Sequence, residues 1–543
     1  MRVVIVGGVA GGMSAATRMR RLDADSEIIV LEKSGYVSYA NCGLPYYVGG
    51  VIAEEEALLL QTPESLHARF RLDVRVATEV TRVDAEKKSV EIKNLISGEF
   101  TNLAFDKLIL SPGASPIVPP IPGVERAHTL RTVEDVERIA SSVERKPATA
   151  VVIGGGFIGV EIAENLIHKG IKTSVIEAAP QVLAPLDSEM ASIVAKEMRS
   201  HGVDLHLGVA AQSITETSVT LTNGVELPAE LVILAIGVRP DTTLAKEAGL
   251  AIGERGGIAV DEYNRTSHPD IYAIGDAAEK RDALDGSSTL VPLANIANRH
   301  GRVVADHIAG RAVRPVLTIG TAIVKVFNLA IATTGWNEKR LAASGRTFTS
   351  IHTHPNSHAG YYPGAKQMQL KLIFDPTSGE IFGAQGVGSD GVDKRIDVIA
   401  TSIRAGLTAP ELADLELAYA PPFGSAKDPV NMLGYIAENI SSGLVKTAQW
   451  SEIDKYRNDE YQLIDVRTPS EFQAGAIAGF KNIPVDEIRT RIGEIEKKRT
   501  LVNCQVGQRG HTATVLLNEL GFDATNLDGG YLTWSNSPAF LTN

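Results

Sequence analysis

The sequence has very few cysteines and few aromatic residues for its length. It contains two cysteines in 543 residues, Cys42 and Cys504, and only 5% of its residues are Phe, Trp or Tyr. Two thiols so far apart along the chain cannot form a disulfide framework, and this indicates a reducing compartment. The protein is therefore predicted to be cytoplasmic, and each cysteine needs its own explanation.

Long apolar runs and an excess of positive charge are also missing. The opening run in MRVVIVGG is broken by glycines after about four apolar residues, which is too short for a secretory signal. No stretch approaches the roughly 18 apolar residues of a membrane span. The net charge of −12 argues against a nucleic-acid or anionic-membrane partner. The length predicts about three or four domains.

One pattern occurs twice. VVIVGGVAGG at residues 3–12 and VVIGGGFIGV at residues 151–160 share a register. Each begins like a buried parallel strand, turns on glycine, continues as a helix, and is followed by a second strand that ends in an acid. The glycines and acids of the two copies are Gly7, Gly12 and Glu32 in the first, and Gly154, Gly156, Gly159 and Glu177 in the second.

This spacing suits the binding of a dinucleotide. Glycines let the backbone approach a pyrophosphate, a helix N-terminus favours its negative charge, and the later carboxylate accepts hydrogen bonds from ribose hydroxyls. Two copies in the same context predict two such sites, although the first copy has Val9 at the middle glycine position. Glu177 would repel the 2′-phosphate of NADPH, and no arginine follows it immediately. We therefore predict NADH, with NADPH as the alternative.

A third segment, TSHPDIYAIGDAAE at residues 266–279, sets Asp276 after another short strand and a glycine. Together with the two glycine motifs it resembles the pyridine nucleotide–disulfide oxidoreductases, over about residues 1–440. The resemblance implies FAD on the first fold, NAD(P)H on the second, and a contact of Asp276 with the ribityl chain of the flavin. LILSPGASP at 108–116 and LVILAIGVRPD at 231–241 match the family's two crossings between these domains.

Cys42 lies in SYANCGLPYYVGG, at residues 38–50, without a second cysteine nearby. Three interpretations remain: a structural cysteine, a single-cysteine peroxidase or oxidase that cycles through sulfenic acid, and a thiolate that forms a mixed disulfide or persulfide. Related NADH peroxidases and oxidases have a histidine where this chain has Ala10, which disfavours peroxide. The surroundings of Cys42 resemble the coenzyme A-disulfide reductases. Cys42 is expected to open a short helix with Pro45 in its first turn, which would lower the thiol pKa.

The same resemblance implies further site residues. In that family two tyrosines from the dimerisation region of the partner subunit complete the active site, and HAGYYPGA and LAYAPPFGSAKDP match, giving Tyr361 and Tyr419. A phenol can protonate a departing thiolate, and the alternative role is packing at the dimer interface. Ser38 and Asn41 are expected to bind the pantetheine or to position the sulfur.

Coenzyme A carries phosphates, so its site needs positive charge. Arg18 and Arg21 lie three residues apart near the end of the first predicted helix. They either bind these phosphates or only complement the helix dipole. HTHPNSH at residues 352–358 holds three histidines, but it lacks a nearby cysteine or carboxylate, so no metal site is predicted. His358 is expected to contact coenzyme A or to support the structure.

The last ~100 residues look like a separate α/β unit. YQLIDVRTPSEFQAGAIAGFKNIPV at 461–485, LVNCQVGQRGHTA at 501–513 and NLDGGYLTW at 526–534 resemble a single rhodanese domain. An apolar strand delivers Cys504 into the loop QVGQRG, whose backbone N–H groups can stabilise a thiolate or persulfide. Arg509 is expected to add positive charge for an anionic sulfur donor.

These features predict an α/β chain with two Rossmann-like dinucleotide-binding domains, an α+β dimerisation domain and a C-terminal α/β rhodanese domain. The predicted boundaries are FAD domain 1–112 and 246–322, NAD(P)H domain 113–245, dimerisation domain 323–445 and rhodanese domain 446–543. The expected function is that of a homodimeric, FAD-dependent NADH:persulfide or polysulfide reductase, acting on coenzyme A persulfide, with Cys42 as redox cysteine and Cys504 as sulfur carrier. The alternatives are a coenzyme A-disulfide reductase with an accessory rhodanese, an NADH oxidase or peroxidase, a pure sulfurtransferase, and a non-catalytic redox sensor.

Overall fold

The computed structural model describes residues 1–541, which fall into two compact units. Unit 1 comprises Met1–Pro180 and Gly202–Thr318. Unit 2 comprises Gln181–His201 and the chain from Ile319 onward. Among the helices of the described chain, none is both long and apolar enough to cross a lipid bilayer.

Unit 1 contains two five-stranded parallel sheets with the same arrangement of strands. In each sheet the strand that precedes the glycine turn is central, and the strand that leads to the acid is its neighbour. The first sheet runs, in spatial order, Ile271–Ala273, Lys107–Leu110, Arg2–Val6, Glu27–Leu31, Asp73–Arg75. The second runs His128–Thr129, Leu231–Leu234, Thr149–Ile153, Lys172–Glu177, Asp204–Leu207. The duplication predicted from the sequence is therefore present in the topology.

The continuous apolar runs of the central strands follow from burial on both faces. In the first sheet Val4 and Val6 belong to one core cluster, and Val3 and Ile5 belong to another. Successive side chains of a strand point to opposite faces, so a parallel sheet covered on both sides requires apolar residues at every position.

Helices and small antiparallel sheets surround the two parallel sheets of unit 1. The helices are Ala10–Leu22, Leu44–Val48, Pro63–Phe70, Val133–Glu144, Phe157–His168, Thr243–Glu247 and Ala294–Ile308. Each parallel sheet is accompanied by a three-stranded antiparallel sheet, formed by Thr78–Asp84, Ser89–Asn94 and Phe100–Ala104, and by Ala211–Ile214, Ser218–Leu221 and Glu226–Pro228. A further small sheet joins Ser288–Thr289, Lys280–Asp282 and Leu317–Thr318.

The two predicted crossing segments lie side by side. Ala114–Pro116 pairs antiparallel with Val238–Pro240, so the chain leaves one dinucleotide-type fold and returns to it through a single two-stranded ribbon.

Unit 2 is built on two five-stranded sheets. An antiparallel sheet has the order Ala322–Val326, Leu329–Gly335, Ile381–Gly388, Met368–Phe374, Thr349–Thr353. A parallel sheet has the order Lys446–Ala448, Ala524–Leu527, Arg499–Asn503, Tyr461–Asp465, Lys481–Asn482. The α-helices are Ser188–Ser200, Glu338–Ser344, Val392–Ala405, Pro429–Ser441, Pro469–Gln473, Gln508–Glu519, Gly530–Ser535 and Pro538–Leu541.

Candidate active sites

The two glycine turns have the same geometry. Gly7 and Gly154 have φ of +99° and +114°, in the left-handed region where a side chain is strained. A Cβ on Gly12 would lie 1.9 Å from the carbonyl oxygen of Gly7, and one on Gly159 would lie 1.9 Å from that of Gly154. Gly7 and Gly154 are therefore required by the backbone conformation of the turn, and Gly12 and Gly159 by the close packing of helix on turn, whatever the turn binds.

The middle glycine is different. A Cβ added to Gly156 would meet nothing within 4 Å, so the chain itself does not require glycine there. This explains how the first copy carries Val9 at the equivalent position. It also means that the space beside Gly156 is available to a ligand.

The acid of each copy is tied to its own glycine turn. The backbone N–H of Gly8 donates to Glu32 at 2.7 Å, and that of Gly155 donates to Glu177 at 2.7 Å. Burial raises the pKa of Glu32, although the backbone N–H groups of Gly8 and Ser34, which both donate to it, oppose the effect. Each carboxylate therefore fixes the turn in addition to the ribose contact predicted for it.

Both turns fit the pyrophosphate of a dinucleotide. The helices Ala10–Leu22 and Phe157–His168 begin directly at the turns, and within residues 1–541 neither start has a side-chain cap or an acid in its first turn. Backbone N–H groups at such an N-terminus attract an anion. The first turn would hold FAD and the second NAD(H), as the sequence predicts.

Asp276 lies in the turn Gly275–Ala277, just after the edge strand Ile271–Ala273 of the first sheet. Burial raises its pKa, and the nearby cations Lys280 and Arg131 oppose this effect. Lys280 is itself buried and donates to the carbonyl of Gly275 at 2.7 Å, and burial lowers its pKa to about 8. The lysine fixes the turn that carries Asp276, a role that sequence reasoning missed.

Cys42 lies where the sequence predicts the start of a short helix. The 3₁₀ turn Asn41–Gly43 runs directly into the five-residue helix Leu44–Val48, with Pro45 in its first turn. The cysteine is exposed on unit 1 and is not part of a disulfide. The residue is therefore open to a reactant, which argues against a purely structural role.

The predicted effect on the Cys42 pKa is wrong. Although the residue is exposed, partial burial of the sulfur raises the thiol pKa, and the negative charges of Glu161 and Asp276 raise it further. A helix of five residues has too small a dipole to outweigh the burial and the two negative charges. A thiolate at Cys42 therefore needs a stabilising group that this carboxylate-rich surrounding does not supply.

Glu161 and Tyr46 belong to the Cys42 site and were missed by sequence reasoning. The Tyr46 hydroxyl donates to Glu161 Oε1 at 3.0 Å, and burial raises the pKa of Glu161 to about 7. Glu161 lies on the helix Phe157–His168 that follows the second glycine turn. The signal in the sequence is an acid within the apolar run FIGVEIA that opens this helix.

Ser38 and Asn41, the predicted pantetheine contacts, flank the Cys42 turn. Ser38 adopts φ of +51°, in the left-handed region, and its backbone N–H donates to the carbonyl of Gly8 at 2.8 Å. Such strain in a serine costs about 1 kcal/mol and is found most often at functional sites. Asn41 is exposed beside Cys42. Their roles towards substrate stay predictions.

The two arginines predicted for coenzyme A phosphates already have partners. Arg18 donates to Asp306 Oδ1 from both Nε and Nη2, at 3.0 and 2.6 Å. Arg21 is exposed and lies over the ring of Phe70, at 5.1 Å from its centre. Phosphate binding by Arg18 would have to compete with this ion pair, whereas Arg21 keeps its charge accessible.

Tyr361 and Tyr419 come together in unit 2. Their hydroxyl oxygens are 3.1 Å apart although the residues come from different loops, and both side chains are exposed. The hydrogen bond between the two hydroxyls raises the pKa of Tyr361. The neighbouring Tyr362 instead packs edge-on against His358, at 5.6 Å between ring centres. This geometry supports the choice of Tyr361 over Tyr362 as the partner of Tyr419.

Cys504 is fully buried at the end of the strand Arg499–Asn503. Its Sγ accepts a hydrogen bond from the backbone N–H of Gly507, at 3.1 Å. Gly507 has φ of +91° and immediately precedes the helix Gln508–Glu519. The strand, loop and helix thus direct backbone dipoles at one sulfur, an arrangement suited to holding a thiolate or persulfide.

The Cys504 loop is surrounded by ion pairs that the sequence did not reveal. Arg509 makes a bidentate pair with Glu471, at 2.8 and 2.7 Å, which offsets the positive charge predicted for a donor site. Arg467 is buried, pairs with Asp465 and donates to the side chain of Gln505 at 3.2 Å. An anionic donor can use Arg509 only if it competes with Glu471, so this role stays a prediction.

Within the described residues, no group of three or more His, Cys, Asp or Glu side chains is arranged to hold a metal ion. In the HTHPNSH run, His352 and His354 contact the C-terminal domain through Asp528 and Thr533.

Three family models match the chain. The model described as pyridine nucleotide-disulphide oxidoreductase matches residues 1–301, and the dimerisation domain of the same family matches residues 321–429. A rhodanese-like domain matches residues 450–537. The three matches follow the order of domains predicted from the sequence.

Individual relatives agree with these matches. Coenzyme A disulfide reductase from Staphylococcus haemolyticus is 32% identical over 443 residues, which cover 81% of this chain and all of the relative. Among solved structures, reduced Bacillus anthracis CoADR-RHD has a TM-score of 0.97 and 50% identity, with 98% of each chain covered. An NAD-dependent persulfide reductase from A. fulgidus has a TM-score of 0.93 and 37% identity, with 98% of this chain and 100% of that chain covered.

Proposed function

Because the chain belongs to the pyridine nucleotide-disulphide oxidoreductase family, we propose that it is an FAD-dependent enzyme that reduces persulfides and polysulfides with NADH. Coenzyme A persulfide is the favoured substrate, since one relative is a coenzyme A disulfide reductase and a similar structure is a persulfide reductase. The observation that carries the proposal is the position of the two cysteines. Cys42 is accessible beside Glu161 and Asp276, and Cys504 lies in a loop built to hold sulfur.

The proposed reaction balances in atoms and electrons. A persulfide RSSH, NADH and one proton give RSH, H₂S and NAD⁺, so the S–S bond breaks as two electrons arrive. Coenzyme A disulfide in place of the persulfide would give two thiols. FAD, held by the first glycine turn and Asp276, supplies the relay of two electrons between NADH and the sulfur on Cys42 when it is bound.

Cys42 attacks the S–S bond of the substrate and forms a mixed disulfide or a persulfide. The accessible sulfur allows this attack, and the turn with Ser38 and Asn41 would orient the substrate. The carboxylates of Glu161 and Asp276 disfavour negative charge on the cysteine and therefore favour expulsion of an anionic product.

Tyr361 and Tyr419 protonate the departing thiolate or sulfide. We propose a homodimer in which the tyrosine pair of one subunit completes the Cys42 site of the other. A phenol with a raised pKa, such as Tyr361, stays protonated at neutral pH and can act as the acid.

Cys504 carries sulfur to or from this reaction. An acceptor thiolate takes the outer sulfur from a Cys504 persulfide, which returns Cys504 to the thiolate and leaves the acceptor as a persulfide. The N–H of Gly507 stabilises either charged form of the sulfur. Two unpaired thiols support a cytoplasmic location, and the net charge of −12 supports small-molecule partners over nucleic acids.

The test is NADH consumption by wild type, Cys42→Ser and Cys504→Ser with coenzyme A persulfide, polysulfide and coenzyme A disulfide. Cys42→Ser should keep its FAD and lose turnover on every substrate. Cys504→Ser should keep reduction of free persulfide and lose sulfur transfer from thiosulfate to cyanide. Undiminished reduction in Cys42→Ser refutes the proposal, and efficient turnover of coenzyme A disulfide alone would favour the simpler disulfide reductase.

A further inference from the structure

His352 and His354 lie at the end of the strand Thr349–Thr353, at the boundary between the two sheets of unit 2. Both rings are buried, and both face the segment that starts at Asp528 in the C-terminal domain. His354 Nε2 lies 2.8 Å from Thr533 Oγ1. The proposed chemistry uses neither histidine, so their contacts need another explanation.

His352 holds Asp528 at two points. Its Nδ1 lies 2.5 Å from Asp528 Oδ2, and its backbone N–H donates to Asp528 Oδ1 at 3.1 Å. Its Nε2 lies 3.1 Å from Oε1 of Glu189, on the helix Ser188–Ser200. All three side chains are at most 5% exposed. One residue thus fixes both oxygens of a carboxylate that belongs to another domain.

Asp528 begins the segment that covers the Cys504 loop. The backbone N–H of Tyr531 donates to the carbonyl of Cys504 at 2.8 Å, and that of Leu532 donates to the carbonyl of Gln505 at 3.0 Å. A Cβ on Gly530 would lie 2.4 Å from the carbonyl oxygen of Cys504.

The same segment also packs closely against His352 on its other side. A Cβ on Gly529 would lie 2.9 Å from Cβ of His352. Residues 528–532 are therefore clamped between His352 and the Cys504 loop, and no side chain longer than hydrogen fits at either glycine without displacement.

We propose that His352 is a positioning residue for the sulfur-transfer site: through Asp528 it holds residues 528–532 in the register that shapes the loop around Cys504. This inference rests on the proposed function only in taking Cys504 as the sulfur carrier. The HTHPNSH run thus has a structural role in the neighbouring C-terminal domain of the same chain, because its first histidine contacts Asp528 there.

The charges around His352 make this clamp sensitive to pH. Burial favours the neutral ring, but the charge and hydrogen bond of Asp528 and the hydrogen bond of Glu189 prevail and raise the pKa of His352 to about 9. Lys371 opposes them, and the nearby His354 stays neutral because burial lowers its pKa to about 3. At neutral pH His352 is thus a cation between two carboxylates.

The raised pKa of His352 determines how its stabilising effect changes with pH. Because the pKa is raised from 6.5 in the folded protein, the stabilisation by His352 is fully present below pH 6.5 and is lost as the pH rises through about 9. A neutral substitute should therefore differ from wild type at pH 7 and match it at high pH. A defect that comes only from altered packing would persist at every pH.

The test measures alkylation of Cys504 by iodoacetamide in the full-length, flavin-loaded Cys42→Ser enzyme, with peptide mass spectrometry as the readout. His352→Asn and Asp528→Asn are compared with the Cys42→Ser parent from pH 6.5 to pH 10.5. Gln449→Met is the matched control, because the Gln449 side chain donates to the carbonyl of Ser350 at 2.8 Å, on the same strand as His352, and the hydrogen bond of this segment to Asp528 uses the backbone of Ala448 instead. Rates are expressed as a ratio to the parent at each pH, which removes the pH dependence of the reagent and the thiol ionisation that variant and parent share.

Both asparagine variants should label Cys504 about tenfold faster at pH 7, since a lost charged hydrogen bond favours opening of the loop. The ratio should fall to one above pH 10, and Gln449→Met should stay near one throughout. A ratio near one at pH 7, or a ratio that is constant with pH, overturns the inference. Failure of the proposed function appears separately, as absence of Cys504-dependent sulfur transfer from thiosulfate to cyanide.

Discussion

Lys371 offers the sharpest test of the structure of unit 2. It lies on the strand Met368–Phe374 with its side chain fully buried. Its Nζ is 2.5 Å from Glu189, 2.8 Å from Glu338 and 2.9 Å from Asp187. Lys371→Met keeps an unbranched apolar stem of similar length and removes the ammonium group, with its charge and its hydrogen-bond donors.

The expected loss of stability is large, because carboxylates are left without a cation. Removing one partner of a buried ion pair costs about 3–5 kcal/mol. Two of the three carboxylates at Lys371 are at most 4% exposed, so we expect about 4–5 kcal/mol from the upper part of this range. Burial by itself raises the pKa of Glu189, and Lys371 and His352 together prevail in lowering it, so Glu189 should take up a proton more readily in the variant, where only His352 remains.

The loss should therefore shrink as the pH falls. A carboxylate whose folded pKa is depressed contributes stability that is present above its unfolded pKa and is lost in acid. In Lys371→Met the part of this contribution that Lys371 supplies is absent, so wild type and variant should approach each other as the pH falls below the unfolded pKa of about 4.5. Adding Glu189→Gln to Lys371→Met should recover part of the loss at pH 7.

The assay uses a convenient distribution of tryptophans. The three tryptophans of the chain, Trp336, Trp450 and Trp534, all lie in unit 2, so tryptophan fluorescence during urea unfolding reports this unit. Lys455→Met is the control, because Lys455 is exposed and pairs with Glu452 at the surface. It should cost less than about 1 kcal/mol. A loss in Lys371→Met no larger than in the control, or one independent of pH, would refute the reasoning.

Two further predictions concern the Cys42 site. In a Cys504→Ser background, Glu161→Gln should speed alkylation of Cys42 at pH 8 but not at pH 5.5, because Glu161 acquires its charge through a pKa of about 7; a ratio to the parent that does not change with pH would contradict this. Tyr361→Phe should lower NADH turnover with coenzyme A persulfide about a hundredfold, while Tyr362→Phe, which leaves the contact with Tyr419 intact, should not. Equal effects of the two phenylalanine variants would show that the tyrosines only pack.

The fold class predicted from the sequence is confirmed, and the reason is that its signals are local. A run such as VVIVGG combines the composition of a buried strand with glycines that close packing demands, and both properties are visible within ten residues. The second strand with its acid follows within one helix length. Each part of the motif therefore constrains the next without any knowledge of distant chain segments.

The missed parts of the site are those that tertiary contacts create. Tyr46 and Glu161 come from the two different dinucleotide-type folds, and only folding brings them together. Arg18 and Arg509 look like available cations in the sequence, but their partners Asp306 and Glu471 come from elsewhere in the chain. The prediction of a lowered pKa for Cys42 was wrong for the same reason. It took account of the neighbouring helix, whereas the carboxylates that raise the pKa come from distant parts of the sequence.

The HTHPNSH run shows how charge and position combine at a domain boundary. A buried network of ions contributes less net stability than apolar packing of the same volume, because desolvation offsets most of the attraction. Such a network instead restricts the geometry, because both carboxylate oxygens of Asp528 can make their hydrogen bonds to His352 only in one register. A boundary that served stability alone would be better built from apolar residues. A domain boundary that must hold residues 528–532 closely against Cys504 gains more from a charged hydrogen bond. His352 supplies this hydrogen bond only while its ring is protonated.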